Sequence, residues 1–333
     1  MSKRIFVIVM AAVALIIFMQ PNVFAKQAIK LGLGDPIDSD QGALAKRFKV
    51  LVEGYTGGDV EVQLFPGGAL GSEQEMVQNA RLGTLDVALV AINNITPFSP
   101  TVGVLTLPYL IQNMDDAVKV TTGKLGKRWS DATIKEAGVR VLGWTYSNFR
   151  VLTNSKRPVR NIADLKGLKI RVPKNAIMIA TYKSWGLSPV PMAWDETFTA
   201  LQQKVIDGQD NPYIVNNTMK FYEVQKYVTN VHYLFSLQPL VIGEKTFQKM
   251  SPDMQAMLTR AGLEAQQYEL LFQMQEADKA KQNLVKNGME VLDLEDEDVW
   301  IDKATTAVWP DFYDSIGGKD KLDDVLKELG RAN

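Results

Sequence analysis

The sequence feature that most constrains the fold is residues 252–287, which have the pattern of one long helix. Ser251 and Pro252 suit its start, and Gly288 suits a left-handed stop. Apolar residues recur on one face at the helical period: Met254, Met257, Leu258, Ala261, Ala265, Tyr268, Leu271 and Phe272. Unbroken, the helix would be about 54 Å long, which is enough to brace two lobes. The alternative is two helices broken near Gly262, because an interior glycine costs about 1 kcal/mol.

Before this helix, strand and helix patterns alternate along the chain. Residues 28–33 and 60–65 have the composition of strands, and residues 41–55 between them have helical spacing. This order predicts an α/β domain. The alternating pattern restarts near residue 150, and a strand at 169–173 then precedes another helix. No Pro/Gly/Ser-rich linker separates the two units, so we expect the chain to cross between two lobes more than once and to form a hinge there.

The first 25 residues have the order of a secretory signal peptide. Lys3 and Arg4 form a positive start, residues 5–19 are uncharged and apolar, and Ala25 ends a small-residue cleavage site. We therefore predict a signal peptide at 1–25, cleavage after Ala25 and a periplasmic protein, with an uncleaved N-terminal anchor as the alternative. The chain has no cysteine, so we expect no lipid anchor, no disulfide and no membrane anchoring of the mature protein.

Charge balance and missing motifs argue against several classes of function. Lys and Arg total 37 against 38 Asp and Glu, so we expect no nucleic-acid partner. The motifs of serine hydrolases, zinc proteases and P-loops are absent, and the only histidine, His232, suits a structural or surface position. We therefore expect no catalysis, no cofactor and no metal. Asp35, Asp38 and Asp40 lack the calcium-loop pattern, and we expect a solvated loop there.

Arg171 is the most informative charged residue. It lies within residues 169–173 (KIRVP), a mostly apolar strand that should be buried on at least one face. A buried guanidinium needs an anion or carbonyl groups, since an unpaired buried charge is very costly. Its planar fork matches a carboxylate through two parallel hydrogen bonds. A ligand carboxylate and a salt bridge to an internal Asp or Glu both fit this pattern.

Five segments, in order along the chain, resemble the substrate-binding subunits of tripartite ATP-independent periplasmic (TRAP) transporters. They are residues 65–73 (FPGGALGSE), 107–109 (LPY), 164–173 (DLKGLKIRVP), 205–212 (VIDGQDNP) and 221–227 (FYEVQKY). The resemblance implies an α/β, two-lobed periplasmic binding protein-like fold with a hinge and a long helix bridging both lobes. It also implies a small-molecule carboxylate ligand, usually an organic acid, and TRAP transporter membrane subunits as partners in ion-coupled uptake.

The resemblance also suggests limits for the lobes. We expect residues 26–148 plus about 237–276 to form lobe 1. We expect residues 149–236 plus about 277–333 to form lobe 2.

The resemblance assigns ligand-binding roles to five residues. Arg171 matches the arginine that forms the family's main salt bridge to the ligand carboxylate, and Asn211 matches the asparagine that assists it. Arg150 fits a second arginine that approaches the carboxylate in many members. Trp194 lies where the family has an aromatic residue against the ligand, with a core tryptophan as an equal alternative. Glu73 begins a helix, where it either interacts with the helix dipole or faces the cleft and accepts from a ligand hydroxyl.

Departures from the family bear on the choice of ligand. Members that bind highly hydroxylated sugar acids often have polar side chains where this chain has Gly34 and Ala91. With Phe149, Trp194 and Tyr213 near the site in motif order, we expect a smaller or partly apolar carboxylate. A sugar-acid (uronate or aldonate) binder of the same family is the alternative. In another class, the alternative is a periplasmic enzyme or sensor-associated binding protein on a two-lobed scaffold.

Overall fold

The computed structural model describes residues 27–331. The predicted signal peptide and its cleavage after Ala25 lie outside the described residues. The strands are β1 (Gln27–Leu33), β2 (Val60–Phe65), β3 (Val87–Leu89), β4 (Val139–Phe149), β5 (Val151–Asn154), β6 (Arg171–Val172), β7 (Val190–Pro191), β8 (Gly208–Asn211), β9 (Tyr227–Asn230), β10 (Phe235–Gly243) and β11 (Glu290–Asp293). The helices are α1 (Asp40–Tyr55), α2 (Glu73–Leu82), α3 (Met114–Thr121), α4 (Gly123–Ala137), α5 (Ala176–Ser184), α6 (Thr197–Gln202), α7 (Tyr213–Thr218), α8 (Glu244–Gln248), α9 (Pro252–Lys286), α10 (Glu297–Phe312) and α11 (Lys319–Glu328). Short 3₁₀ helices lie at Ile92–Asn94, Pro100–Thr106, Ile162–Leu165 and Phe221–Glu223.

The first lobe is built on a five-stranded sheet in the order β2-β1-β3-β10-β4. β1 pairs parallel with β2 and with β3, as expected for strands joined by helices, whereas β10 is antiparallel to β3 and β4. Ile29 and Leu31 of β1 alternate into a core that also contains Phe48 of α1. The carboxyl ends of the adjacent parallel strands β1 and β3 meet at one edge of the sheet, which is where α/β proteins form clefts.

The second lobe contains a four-stranded sheet in the order β11-β9-β5-β8 and the short parallel pair β6-β7. The predicted strand at 169–173 is shorter than expected and covers Arg171–Val172. An isolated bridge from Ile170 to Gly208 joins this segment to β8. At Gly208 a Cβ atom would lie 2.1 Å from the carbonyl oxygen of Thr153, so only glycine allows β5 and β8 to approach this closely.

The long helix α9 is continuous over 35 residues, so the alternative of a break near Gly262 is wrong. The side chain of Ser251 caps its start by accepting from the Met254 backbone N–H. Gly262 lies against β4, where a Cβ atom would be 2.3 Å from the carbonyl oxygen of Leu142. The glycine therefore allows close packing of helix on strand. α9 contacts α1 and β4 in the first lobe and α7 in the second. No helix within residues 27–331 is long and apolar enough to cross a membrane.

The chain crosses between the lobes repeatedly, as the missing linker predicts. β4 of the first sheet continues through Arg150 into β5 of the second, and residues 231–234 join β9 to β10 in the return direction. α9 forms a third connection. α10 forms a fourth, because Trp300 packs in the second-lobe core and Val308 in the first-lobe core. Several connections of this kind between two lobes form the structural basis of a hinge.

The end of the chain departs from the predicted lobe limits. α11 buries Leu322 and Val325 in the first-lobe core, where it contacts α3. Arg128 of α4 also pairs with Asp324 of α11 at 2.9 Å. Assigning all of residues 277–333 to lobe 2 is therefore wrong for the segment after α10, since the apolar face of α11 has its partners in the first lobe. The other predicted limits stay a prediction.

Candidate ligand-binding cleft

A cleft between the two lobes contains all five residues predicted to bind the ligand. The space inside it that a water-sized molecule can occupy is about 20 Å³. The first-lobe wall consists of Asp35, Glu73, Ala91, Asn93, Asn94 and Gln238. The second-lobe wall consists of Arg150, Arg171, Pro173, Trp194 and Asn211. Cationic groups therefore line one side of the cavity, and carboxyl and amide groups line the other.

Arg171 is held by main-chain geometry and forms no salt bridge within residues 27–331. Its Nε and Nη2 atoms donate to the carbonyl oxygen of Met192 at 3.1 and 2.8 Å. Only 2% of the residue is exposed. Burial, with the nearby charge of Arg150, lowers the pKa of Arg171 to about 10, so the guanidinium stays charged at neutral pH. A buried cation bonded to one neutral carbonyl favours an anion in the cleft.

Arg150 is also buried, but its charge is compensated inside the protein. Its Nε atom donates to Oδ2 of Asp210 at 2.8 Å, and its Nη2 atom donates to the Asp210 carbonyl oxygen at 2.5 Å. The hydroxyl of Tyr233 donates to the same carboxylate. Burial alone would lower the pKa of Arg150, but the Asp210 carboxylate and the nearby hydroxyls of Tyr233 and Tyr182 together raise it. The internal salt bridge considered for Arg171 is thus formed by Arg150.

Asn211 lies beside the two arginines because of strand pairing. β8 pairs antiparallel with β5, which places Asn211 opposite Val151 and hence next to Arg150. Its Nδ2 atom donates to Oε1 of Gln209 at 2.7 Å. This hydrogen bond orients the amide at the end of the strand, and the residue lines the cavity.

Trp194 packs at the edge of a core cluster and also lines the cavity, and its contact with a ligand stays a prediction. Its ring packs edge-on against Phe221 at a centroid distance of 5.8 Å, as part of a small apolar cluster. The guanidinium of Arg171 lies 5.6 Å from its centroid, and the ring lines the cavity. The tryptophan therefore supports the arginine through a cation–π contact while it presents an apolar surface to the cleft.

Glu73 faces the cleft and is buried at the first position of α2. Its carboxylate accepts from the Ala91 backbone N–H at 3.3 Å, from Gln41 Nε2 at 3.4 Å and from the Asn94 side-chain amide. Burial raises the pKa of Glu73, while these hydrogen bonds oppose the shift. Glu73 thus both begins the helix and faces the cleft, and its contact with a ligand hydroxyl stays a prediction.

The expectation of a solvated loop for the aspartates after β1 is wrong for two of the three. Asp35 and Asp40 are buried, and the Ser147 hydroxyl donates to Asp40. Only the Asp38 side chain is exposed. The position of Asp35 directly after the carboxyl end of a parallel strand is the signal that could have identified it as a cleft residue.

Sequence reasoning also missed the amides of the first-lobe wall. Asn93 and Asn94 follow β3 in a 3₁₀ helix, and Gln238 lies on β10. By contrast, Phe149 and Tyr213 do not line the cavity. Phe149 packs on Phe235, and the Tyr213 hydroxyl donates to Asn230. Two of the three aromatic residues that favoured a partly apolar ligand thus lie elsewhere.

These features define a two-lobed solute-binding protein with a polar, charge-separated cleft. The sequence matches the family model described as "Bacterial extracellular solute-binding protein, family 7" (DctP) over residues 35–315. The chain therefore belongs to this family, the periplasmic solute-binding proteins of TRAP transporters. Its function is to bind a solute for a transporter, and it is not an enzyme.

Three relatives illustrate the similarity. The 2,3-diketo-L-gulonate-binding periplasmic protein of Escherichia coli K12 is 33% identical over 80% of this chain and 81% of its own length. An open, ligand-free TRAP solute-binding protein of Rhodobacter sphaeroides is 41% identical with a TM-score of 0.75, covering 91% of this chain and 99% of its own. A Polaromonas sp. JS666 protein bound to D-erythronate is 31% identical with a TM-score of 0.86, covering 90% and 98%.

Proposed function

We propose that the cleft captures a carboxylate through Arg171, with Asn211 and Arg150 beside it. The protein then delivers the acid to TRAP transporter membrane subunits for ion-coupled uptake. The observation that carries this proposal is the buried Arg171 guanidinium, whose hydrogen bonds go to one main-chain carbonyl. A ligand carboxylate would accept the remaining N–H groups in a bidentate geometry.

We favour a hydroxylated acid as the ligand over a partly apolar one. The first-lobe wall is rich in carboxyl and amide groups, which suit hydroxyls. The names of two relatives specify D-erythronate and 2,3-diketo-L-gulonate, both of which carry oxygen functions along the chain. In this proposal Glu73 accepts from a ligand hydroxyl, and Trp194 packs against the ligand's carbon chain.

Substitution of Arg171 tests the proposal. Arg171→Ala should weaken binding of D-erythronate and related acids by about 2–5 kcal/mol, as for removal of one partner of a buried charge pair. Arg171→Lys should recover part of this loss, because it keeps the charge but not the planar fork. Titration calorimetry measures both effects, and circular dichroism verifies that the variants are folded.

The matched control is Arg260→Ala on α9, whose side chain is 68% exposed and whose partner is Glu264. It should bind the same acids as tightly as the wild type. If folded Arg171→Ala also binds them with unchanged affinity, the carboxylate is held elsewhere and the proposal fails.

We infer that the protein reaches the periplasm through a signal peptide that is cleaved after Ala25. The positive start at Lys3 and Arg4, the apolar residues 5–19 and the small residue at the cleavage position support this inference. The mature chain would begin at Lys26, one residue before β1.

A further inference from the structure

Two polar side chains of the first-lobe wall each have an atom without a partner in the described part of the protein. These atoms are Oδ2 of Asp35 and Nδ2 of Asn93. Each residue is only 3% exposed, and both line the cavity opposite Arg171. A buried polar atom without a hydrogen bond is costly and uncommon in native proteins. One of these atoms is an acceptor and the other a donor, so together they complement a hydroxyl group.

The positions of these two groups are set by adjacent strands. Asp35 follows β1 and Asn93 follows β3, which pair in parallel with Leu33 opposite Leu89. The Gly34 backbone N–H donates to the carbonyl oxygen of Leu89 at 3.4 Å, which continues the pairing toward the cleft. Both side chains therefore project from segments that the sheet holds side by side.

The main chain also restrains each residue individually. The Asp35 backbone N–H donates to Oε1 of Gln41 at 3.0 Å. The carbonyl oxygen of Asn93 accepts from Nδ2 of Asn175 at 3.2 Å. The two unpartnered atoms are thus presented by a backbone that is anchored at both residues, as a preorganised binding group requires.

The charges behind this wall disfavour a second ligand carboxylate. Burial, followed by the charges of Asp40 and Glu73, raises the pKa of Asp35 well above its usual value. The Trp194 side chain and the charge of Arg150 oppose this pKa shift. A second ligand carboxylate would add another negative charge to this cluster, and the nearby cations are already engaged, Arg150 by Asp210 and Arg171, in the proposed function, by the first carboxylate. A neutral hydroxyl adds no charge to the cluster.

We propose that Asp35 and Asn93 form a hydroxyl subsite that selects monocarboxylic acids bearing hydroxyls and rejects dicarboxylates of the same length. A ligand hydroxyl donates to Asp35 and accepts from Asn93, while the single carboxylate pairs with Arg171. This inference rests on the proposed capture of the carboxylate by Arg171 and adds the identity of the group at the other end of the ligand.

The test compares acids of equal carbon number: a polyhydroxy acid, the same chain without hydroxyls, and the dicarboxylate. The wild-type protein is titrated with D-erythronate, butyrate and succinate, and then with L-galactonate, hexanoate and adipate. In at least one length series, the hydroxy acid should bind at least 100-fold more tightly than the plain acid, and the dicarboxylate should bind weakest. The proposal is overturned if the plain acid or the dicarboxylate binds as tightly as the hydroxy acid.

Two variants locate the effect. Asp35→Asn keeps the size but removes the charge and one acceptor, so it should weaken hydroxy-acid binding 10-fold or more and narrow the gap to the dicarboxylate. Asn93→Ser, which lacks the amide donor, should weaken hydroxy-acid binding and leave the plain acid unchanged. Asp38→Asn is the matched control, because its side chain is exposed three residues away.

The outcomes separate this inference from the proposed function. If Arg171→Ala abolishes binding while Asp35→Asn and Asn93→Ser leave the hydroxyl preference intact, the subsite is wrong and carboxylate capture stands. If Arg171→Ala leaves binding unchanged, carboxylate capture fails, and the inference that rests on it fails too.

Discussion

On the second-lobe wall of the cleft, Arg150 is neutralised by Asp210 and Arg171 has no acidic partner among the described residues, so one positive charge remains. On the first-lobe wall, Asp35 and Glu73 are buried carboxyls whose pKa values are raised chiefly by burial. One uncompensated cation matches one ligand carboxylate. The opposite wall offers amide groups, together with carboxyl groups that burial shifts toward their neutral form. The second-lobe wall thus suits the ligand carboxylate, and the first-lobe wall suits the other polar groups of the ligand.

The largest expected effect is a difference in protein stability between alanine variants of the two arginines on the second-lobe wall. Arg150→Ala leaves the buried Asp210 carboxylate without its cation, which should cost about 3–5 kcal/mol of unfolding free energy. Arg171→Ala removes a buried charge that has no carboxylate partner and should cost much less. Denaturant unfolding of the ligand-free proteins measures both values. Equal losses for the two variants would show that Arg171 also has a structural role.

A smaller effect concerns a contact that joins the two walls. Asn175 caps α5 in the second lobe, and its Nδ2 atom donates to first-lobe groups, Thr96 Oγ1 at 2.7 Å and the Asn93 carbonyl oxygen at 3.2 Å. Asn175→Asp keeps the capping oxygen but loses this donor. We expect roughly tenfold weaker ligand binding with faster dissociation, as for loss of about 1.4 kcal/mol, and little change in unfolding free energy of the free protein.

Gln74→Ala is the matched control for Asn175→Asp. It removes another hydrogen bond across the cleft, from Gln74 Nε2 to the Lys174 carbonyl oxygen at 3.2 Å, but this bond is exposed to solvent. Stopped-flow measurement of dissociation should show a change of less than about twofold, since an exposed hydrogen bond exchanges readily with water. A larger effect for the control than for Asn175→Asp would place the closing contact at the cleft rim.

The smallest expected effect concerns a buried carboxyl on the bridging helix α9, which makes the stability of the protein depend on pH. Glu269 of α9 is buried, its Oε2 atom accepts from the Tyr146 backbone N–H at 2.9 Å, and its Oε1 atom has no partner in the described structure. Burial, followed by the charge of Asp40, raises the pKa of Glu269 well above 4.5. The folded state therefore holds this proton to higher pH than the unfolded state, so this contribution to stability is lost as pH rises through the raised pKa.

Glu269→Gln should remove the loss of stability at high pH, because glutamine does not ionise. We expect its Tm to exceed the wild-type value by about 1–3 °C at pH 8 and to match it at about pH 3, where the unfolded-state carboxyl is also largely protonated. Thermal unfolding followed by circular dichroism checks this. Asp278→Asn, at an exposed position on the same helix, should show no such pH-dependent gain.

Local signals in the sequence predicted much of the architecture. Ser251, Pro252 and Gly288 bounded the long helix correctly, because caps and helix stops depend on neighbouring residues. Its continuity through Gly262 was left open, since the reason for that glycine is the strand at Leu142, far away in the sequence. The GLKIRVP and DGQDNP motifs predicted a cleft that contains Arg171 and Asn211, although their roles in binding stay predictions.

The sequence alone was sufficient for the class of fold, the family, the long bridging helix and a site rich in arginine, because these follow from periodicity, caps and motifs within short segments. The tertiary structure was needed to show which arginine is paired inside the protein, that Asp35 and Asp40 are buried, and that α11 packs on the first lobe. These facts depend on partners far apart along the chain: Arg150 and Asp210 are separated by 60 residues, and Ser147 and Asp40 by 107. Periodicity and motifs describe neighbours in sequence, whereas burial and charge pairing depend on neighbours in space.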